Sequence, residues 1–568
     1  MNVKKFLNKS MAFRHGLRKL RLKYMQPQWN KLIDDDPSYW ANAVESASGP
    51  NILVATSVGA HLPSVTTEST LAAALTLRGA KVHILLCDGI LPACLDCTYG
   101  ITLLDKVLAE CGPQKDLCAS CFEHTSQMFE SLGIKIHRYS DWISEEERCE
   151  AQRLAREVPV NEIEDFTYDN LAVGEHAFAG ALRFYSKGSL DDEPLAEPVL
   201  RRYLQASLLT TFAMQNLLKA HTFVSAVFHH GIYVPQGLIG EVCRSNNVPV
   251  VNWNVAYRKS CFIFSHADTY HHTLMDEPAS NWEHIQWNDV CEDEIMHYLK
   301  SRWYGKQDWI WFHENPQENV QKIAAEIGID FSKPCIGMLT NVMWDAQLHY
   351  PANAFPDMLT WVLNTISYFA KRPDLQLLIR VHPAEIWGGN PSRQKVVDEI
   401  HKKFPILPSN VFVVPPEARI STYAAMLQCN PVIIYGTKMG VELTSMGKPV
   451  IIAGEAWIRN KGLTMDAASE SHYYTLLDAL PLEKGLDTDS TECARKYAFH
   501  FFFRRMIPLE CMIPLKGWPL FKLNLSSMRE LEPGTYQGLD VICEGILNGT
   551  EFIYPYETVG VSPQLCTV

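Results

Sequence analysis

The chain has 568 residues, of which 47% are apolar and only 20% are charged, and its formal net charge is −13 with neutral histidines. This composition supports a large buried core, and it excludes both a generally disordered chain and a nucleic-acid-binding protein that works through bulk positive charge. No stretch of about 18 uninterrupted apolar residues predicts a transmembrane helix, and the first residues do not resemble a secretory signal. We therefore expect a cytoplasmic protein.

Residues 1–40 form a basic N-terminal segment. The first 24 residues contain eight basic side chains and no acidic one, so the rest of the chain is more acidic than the net charge suggests. Apolar residues recur there at the three-to-four spacing of one helical face: Phe6, Phe13, Leu17, Leu20 and Tyr24. Two interpretations are open: the helix lies on the anionic inner face of the cell membrane, or it packs on the acidic remainder of the protein.

Alternating strand and helix patterns follow and predict an α/β protein. A strand at 51–57, a helix at 67–78 and a strand at 81–86 form a βαβ unit, whose default geometry is a parallel sheet. A cysteine-rich insert at 87–124 and a mainly helical stretch come next, and later strands complete the sheet. We assign residues 41–263 to this first Rossmann-like domain.

The second half repeats the pattern more clearly. Residues 264–330 show no clear period and are interpreted as a linker or crossover. Five apolar β-type runs separated by helical patterns assign residues 331–482 to a second Rossmann-like domain, because continuous apolar strands indicate a sheet covered by helices on both faces. Residues 483–568 form a helical and irregular tail that is expected to pack back on the core. Two such domains with a cleft between them suit an enzyme that uses a nucleotide sugar.

The insert contains two CxxC pairs whose separation is at the edge of the spacing of a four-cysteine metal site. Four thiolates favour structural zinc, although the same ligands can hold an iron–sulfur cluster. The alternative is a set of buried, reduced cysteines. The predicted ligands are Cys94, Cys97, Cys118 and Cys121.

Polar residues after predicted strands mark a binding site, because open α/β sheets bind ligands at the carboxyl ends of their strands. Arg380 and His382 end one strand and can contact phosphate oxygens. The turn at 435–442 leads into a helix whose free N–H groups suit an anion, with Thr437 and Lys438 as further donors. Gly440 is part of this small glycine-containing turn and is counted among the donor-binding residues. Glu442 is a candidate acceptor of hydrogen bonds from ribose hydroxyls.

The sequences RVHP and GTKMGVELTSMGKPVII, with TNVMWDAQ before them, resemble the bacterial capsule polysaccharide biosynthesis family. That resemblance implies a GT-B glycosyltransferase fold and places the donor nucleotide against His382 and the Thr437–Glu442 turn. It is strongest over residues 335–453. By the same resemblance Asn341, Trp344 and Asp345 line the cleft on the donor side.

The first domain is expected to bind the acceptor and to supply a base for its hydroxyl proton. His61 and Glu175 are the candidate bases, and His229 and His230 are expected on the acceptor side. The predicted function is transfer of a sugar from a nucleotide-activated donor to a glycan or glycolipid, with no metal clearly required and no nucleic acid involved. The alternatives are a non-catalytic polysaccharide-binding or export-assembly protein, and a nucleotide-sugar epimerase.

Overall fold

Two largely parallel sheets organise the chain, each in its own half of the sequence. The computed structural model describes residues 11–305, 307–309, 315–346, 348 and 350–559. The first sheet has seven strands in the order β13-β6-β5-β4-β1-β2-β3, and the second has six in the order β12-β11-β10-β7-β8-β9. The strands are β1 Asn51–Ser57, β2 Lys81–Leu86, β3 Lys135–Arg138, β4 Ser225–His229, β5 Val250–Val255, β6 Cys261–His266, β7 Cys335–Leu339, β8 Gln376–Arg380, β9 Val411–Val414, β10 Val432–Ile434, β11 Val450–Ile452, β12 Met465–Asp466 and β13 Met506–Pro508; a separate hairpin pairs β14 Met512–Pro514 with β15 Phe521–Leu523.

Both sheets have the doubly wound strand order of a Rossmann fold. In each, the first three strands in sequence run outward to one edge and the chain then crosses to the other side of the first strand. All pairs of the second sheet are parallel, whereas β6 and β13 are antiparallel additions to the first. The predicted arrangement of two Rossmann-like domains is confirmed. The switch points lie between β1 and β4 and between β7 and β10, and they mark where a ligand should bind.

Helices cover the sheets and begin at recognisable caps. Asp357 caps one helix by accepting the backbone N–H of Thr360, and Ser144 and Glu147 form a capping box on another. The helices are α1 Met11–Met25, α2 Trp29–Ile33, α3 Pro37–Ser46, α4 Leu62–Leu77, α5 Asp105–Cys111, α6 Ala119–Ser131, α7 Glu145–Glu157, α8 Val173–Tyr185, α9 Ala196–Ala220, α10 Gln236–Ser245, α11 Tyr270–Thr273, α12 Asp289–Arg302, α13 Val320–Ile327, α14 Met358–Phe369, α15 Ala384–Trp387, α16 Val396–Lys403, α17 Thr422–Met426, α18 Met439–Ser445, α19 Glu470–Asp478, α20 Thr488–Phe499, α21 Gln537–Asn548 and α22 Tyr556–Val559.

One boundary differs from the sequence-based expectation in a way that matters for the site. The helix expected at 67–78 begins at Leu62, because Pro63 fits the first helical turn, where its missing N–H is not needed. His61 is therefore the residue that precedes the helix, and it lies at the end of a short turn after β1. The whole of α4 up to Thr76 is buried.

The described part of the tail packs against the core. Phe501, Phe502 and Phe503 are each at most 3% exposed, and β13 after them pairs with β6 of the first sheet. Residues 560–568 of the predicted tail lie outside the described residues. The region interpreted as a linker contains α11, α12 and α13, and β6 crosses its expected start at residue 264. Over the described residues, no helix combines the length and apolarity needed to cross a bilayer.

Candidate functional site

A cleft of about 550 Å³ lies between the two sheets, and residues from both halves line it. His61 lines it from the loop after β1, and His229 and His230 line it from the end of β4 and the residue after it. Asn341 and His382 line it from the loops after β7 and β8. These positions are the carboxyl ends of the central strands, where the fold places ligands. Several of the residues predicted for the acceptor side and the donor side are thus brought to one cavity.

Neutral imidazoles form the wall that the first half contributes. His61 Nδ1 is 2.7 Å from Ser64 Oγ, and its ring stacks on His229 with 4.8 Å between centroids. Burial, with the nearby His229 and Arg183, lowers the pKa of His61 well below its usual value. Burial likewise lowers the pKa of His229 to about 4. Both rings are therefore uncharged at neutral pH and able to accept a proton.

The turn after β4 holds its two histidines in fixed orientations. His229 Nε2 lies 3.2 Å from Asn254 Oδ1, an oxygen that also accepts the backbone N–H of Val255. His230 adopts a left-handed conformation with φ 67°, a geometry that costs a non-glycine residue of order 1 kcal/mol or more. Gly231 follows with φ 77°, and a Cβ there would lie 2.6 Å from Asn252 Nδ2. The strained turn aims both imidazoles into the cleft.

A buried carboxyl supports this wall from behind. Glu68 on α4 is fully buried, and its Oε1 accepts the indole N–H of Trp253 at 3.0 Å. The Trp253 ring in turn lies 4.8 Å from the His229 ring. Burial raises the pKa of Glu68 to about 8, so its carboxyl is protonated at neutral pH.

The Glu68 carboxyl predicts a pH dependence of stability. Its pKa rises from 4.5 when unfolded to about 8 when folded, so its contribution is fully present below pH 4.5 and is lost as pH rises through about 8. Glu68→Gln removes this titration. Between pH 4.5 and about 8, the free energy of unfolding of the variant minus that of the wild type should therefore increase by about 1.4 kcal/mol per pH unit. Urea unfolding of both proteins at pH 5, 6, 7 and 8 measures the difference. A difference that is constant with pH would contradict the assignment.

A tyrosine links the two halves beside the cleft. Tyr233, from the turn before α10, donates its hydroxyl to Asp345 Oδ1 at 3.0 Å and accepts the backbone N–H of Ala346 at 2.8 Å. Asp345 lines the cleft, and burial raises the pKa of its carboxyl. Asn341 also lines the cleft and donates its amide N–H to the carbonyl oxygen of Gly436 at 2.8 Å.

His382 lies in the cleft, whereas Arg380 is directed away from it. The backbone N–H of Ala384 donates to His382 Nδ1 at 3.1 Å, so the proton of this ring is on Nε2. Burial, together with Lys438 and Arg380, lowers the pKa of His382 to about 3. The guanidinium of Arg380 donates to the carbonyl oxygens of Pro415 and Ala418, and it is not among the described residues that line the cleft. Arg380 thus shapes the loop after β9.

Lys438 belongs to a buried charge cluster under the donor-side wall. Its Nζ lies 3.7 Å from Glu442 Oε1 and 4.9 Å from the centre of the Tyr257 ring. Arg302 contacts the same carboxylate, with 3.3 Å between Nε and Oε1, and also pairs with Asp308. Burial favours a neutral Glu442, but the charges of Arg302 and Lys438 prevail and lower its pKa.

Glu442 therefore stands behind the cleft wall. Its other oxygen accepts the hydroxyl of Tyr423 at 2.5 Å, and its side chain is completely buried. The structure places it as the counter-ion that holds Lys438 and Arg302, and it does not line the cleft as a ribose acceptor would. Lys438 and Thr437, by contrast, do line it.

Three other predicted site residues lie away from the cavity. Trp344 donates its indole N–H to Ser392 Oγ at 3.1 Å and is 9% exposed. A Cβ on Gly440 would lie 2.8 Å from Ile434 Cδ1, so this glycine allows α18 to approach β10. Glu175, in the first turn of α8, is not among the described cleft-lining residues. Of the two candidate bases, only His61 lines the cleft.

The cysteine-rich insert brings its thiols near one another. Cys94 is hydrogen-bonded to Cys97, which with burial raises the pKa of Cys94, and burial raises the pKa of Cys118 and Cys121. Within the part of the chain that the structure describes, no three His, Cys, Asp or Glu side chains are placed to hold a metal ion. The zinc or iron–sulfur site stays a prediction, and the chemistry proposed below uses no metal.

Sequence reasoning missed many of the residues that line the cleft, and three of them come from distant parts of the chain. Arg302 is the last residue of α12, His271 lies on α11, and Trp518 follows β14 in the tail. Trp518 is 47% exposed, and its ring lies 5.5 Å from that of His61. All three come from segments without a clear hydrophobic period. The sequence signal available for the first two was the density of Trp, His and acidic residues between 264 and 319.

No protein-family model matches the sequence, and no functionally curated protein matches it. Among solved structures, the chain is similar to Thermosulfurimonas dismutans KpsC, a beta Kdo 2,4 transferase, with 13% identity, a TM-score of 0.31, and coverage of 48% of this chain and 79% of that one. It is also similar to a UDP-GlcNAc 2-epimerase from Neisseria meningitidis, with 10% identity, a TM-score of 0.23, and coverage of 79% and 96%. A third is the glycosyltransferase SnogD from Streptomyces nogalater, with 12% identity, a TM-score of 0.22, and coverage of 80% and 95%.

With TM-scores of 0.31 or less, none of these likenesses assigns a function to this chain. The likeness to the capsule polysaccharide family therefore stays a prediction, and a function must be argued from the cleft.

Proposed function

We propose that the protein is a glycosyltransferase that moves a sugar from a nucleotide-activated donor to a glycan or glycolipid in surface polysaccharide synthesis. The donor occupies the wall formed by the second half, and the acceptor enters against the histidines of the first half. The observation that carries this proposal is the cleft itself, in which neutral imidazoles on one Rossmann sheet face a lysine and a ring N–H donor on the other.

The donor-side wall has the chemistry needed for a phosphate. Lys438 supplies a cation from the turn after β10, and His382, protonated on Nε2, supplies a neutral donor from the loop after β8. Charged hydrogen bonds of this kind are the strong ones in phosphate recognition. They also act on the leaving group, where negative charge grows as the bond to the sugar breaks.

The acceptor-side wall has the chemistry needed for a base. In the proposed step the acceptor oxygen bonds to the anomeric carbon, and the bond from that carbon to the donor phosphate oxygen breaks. The acceptor proton passes to His61, and the phosphate leaves with the bonding electrons. Because Ser64 engages His61 Nδ1, we assign the proton transfer to Nε2.

A donor-binding experiment tests the phosphate contacts. UDP and CMP sugars are titrated calorimetrically into the wild type, Lys438→Ala, His382→Ala and the control Lys402→Ala, which alters an exposed helix pair with Glu399. Loss of one charged hydrogen bond costs about 1.5–3 kcal/mol, so we expect Lys438→Ala to bind the donor roughly ten- to hundredfold more weakly than the wild type. The control Lys402→Ala, outside the cleft, should bind the donor as the wild type does. Unchanged binding in both cleft variants would contradict the proposal.

Turnover distinguishes the remaining functions. With the donor that binds, release of free nucleotide that requires an added glycan or glycolipid supports the transferase. Binding without release would indicate an export-assembly protein. Interconversion of the nucleotide sugar without an acceptor would indicate an epimerase.

A further inference from the structure

Helix α1 carries an apolar stripe that stays exposed among the residues that the structure describes. Four large apolar side chains lie on one face at intervals of four, three and four residues, which keeps them within about 60° around the helix axis. Their exposed fractions are 37% for Phe13, 37% for Leu17, 54% for Leu20 and 67% for Tyr24. Contiguous apolar surface of this kind marks an interaction site.

The opposite face of α1 is firmly attached to the cysteine-rich insert. Arg18 donates to Asp96 at 2.5 Å and to Ser120 Oγ at 3.1 Å, and Arg14 donates to the carbonyl oxygen of Gly100 at 2.6 Å. Leu22 is 1% exposed. One face of the helix therefore packs on the protein, and the opposite face remains exposed. Packing on the protein and contact with a membrane are thus possible for the same helix.

The charges beside the stripe identify its partner. Exposed Arg21 flanks the stripe on one side, and exposed Lys19 and Lys23 flank it on the other. No acidic residue precedes Asp34, whereas the whole chain carries a net charge of −13. An apolar face bordered by cations is suited to a surface that is apolar inside and anionic outside. We propose that α1 docks the protein on an anionic lipid surface, lying in the plane of the headgroups.

This contact is structurally joined to the cleft. Leu22 and Met25 pack against Ala60 and Leu62, the two neighbours of His61. The docked helix is thus one residue away from the wall assigned to the acceptor. This consequence rests on the proposed function: a lipid-linked acceptor reaches His61 from the membrane to which α1 is bound. The docking itself needs neither donor nor acceptor.

Co-sedimentation with vesicles tests the docking. The full chain is mixed with phosphatidylcholine vesicles that contain about 30% phosphatidylglycerol, and with vesicles of phosphatidylcholine alone, because anionic lipid adds attraction for each nearby cation. We expect binding to the anionic vesicles that Leu17→Ser/Leu20→Ser weakens at least about tenfold. Ile406→Ser is the matched control, since Ile406 is 90% exposed in the second half and should not affect binding.

Three results would overturn the proposal: equal sedimentation with both vesicle types, equal loss in the control variant, or full binding by the double variant. Sedimentation velocity without lipid tests whether the stripe instead binds a second copy of the chain. A wild-type dimer that Leu17→Ser/Leu20→Ser converts to a monomer would assign the stripe to a second copy of the chain. Failure of docking would leave the donor titration unaffected, so the two proposals fail separately.

Discussion

Replacing His61 with alanine is expected to lower kcat about 10²- to 10³-fold while leaving donor affinity unchanged, because general-base catalysis contributes on this scale. His61 is the candidate base that lines the cleft, and burial lowers its pKa, which keeps the imidazole unprotonated at neutral pH. Steady-state nucleotide release measures kcat, and calorimetric titration of the donor measures affinity.

The natural control is the other candidate base. Glu175→Gln changes a carboxylate that does not line the cleft, so we expect its kcat to remain close to that of the wild type. If Glu175→Gln were the inactive variant and His61→Ala the active one, the base would be misassigned. Weaker donor binding in His61→Ala would instead assign this ring to the donor.

Replacing Glu442 with glutamine is expected to destabilise the protein by about 3 kcal/mol, the lower end of the range for breaking a buried ion pair on one side. The change leaves Arg302 and Lys438 buried without the carboxylate that both contact. Urea unfolding followed by tryptophan fluorescence measures the loss. Because Glu442 also orients Lys438, donor affinity should fall in the same variant.

Glu399→Gln provides the comparison for this stability loss. Glu399 pairs with Lys402 at 2.8 Å on the helix surface, and a pair of this kind contributes about 0–1 kcal/mol. Both glutamates lie in the second half of the chain, so the two variants differ mainly in burial. Equal stability of Glu442→Gln and Glu399→Gln would show that the charge cluster does not hold the donor-side wall.

The positions that the sequence predicted well follow clear strands. His61, His229, His382 and Lys438 each come just after an apolar β-type run, and the carboxyl ends of parallel strands meet at one edge of a sheet. The parallel sheets and the two-domain fold followed from the same pattern. These inferences need only the backbone direction, which the hydrophobic period reveals.

The hydrophobic pattern does not predict which way a side chain at a strand end points. Arg380 ends β8 and Trp344 follows β7, as expected, yet they donate to neighbouring protein groups and do not line the cleft. Arg302 and Trp518 reach the cleft from far along the chain, through tertiary packing that no local period encodes. Glu442 pairs with Arg302, which the sequence analysis did not place at the site. Without that partner, Glu442 was interpreted as an acceptor for ribose hydroxyls.

The most direct test of the central claim is a crystal structure of the protein with the nucleotide that binds in the calorimetric titration. We predict that its phosphate lies within hydrogen-bonding distance of Lys438 and His382, with the sugar-bearing side facing His61. A nucleotide bound outside the cleft, or one whose phosphate contacts the histidines of the first half instead, would contradict the account.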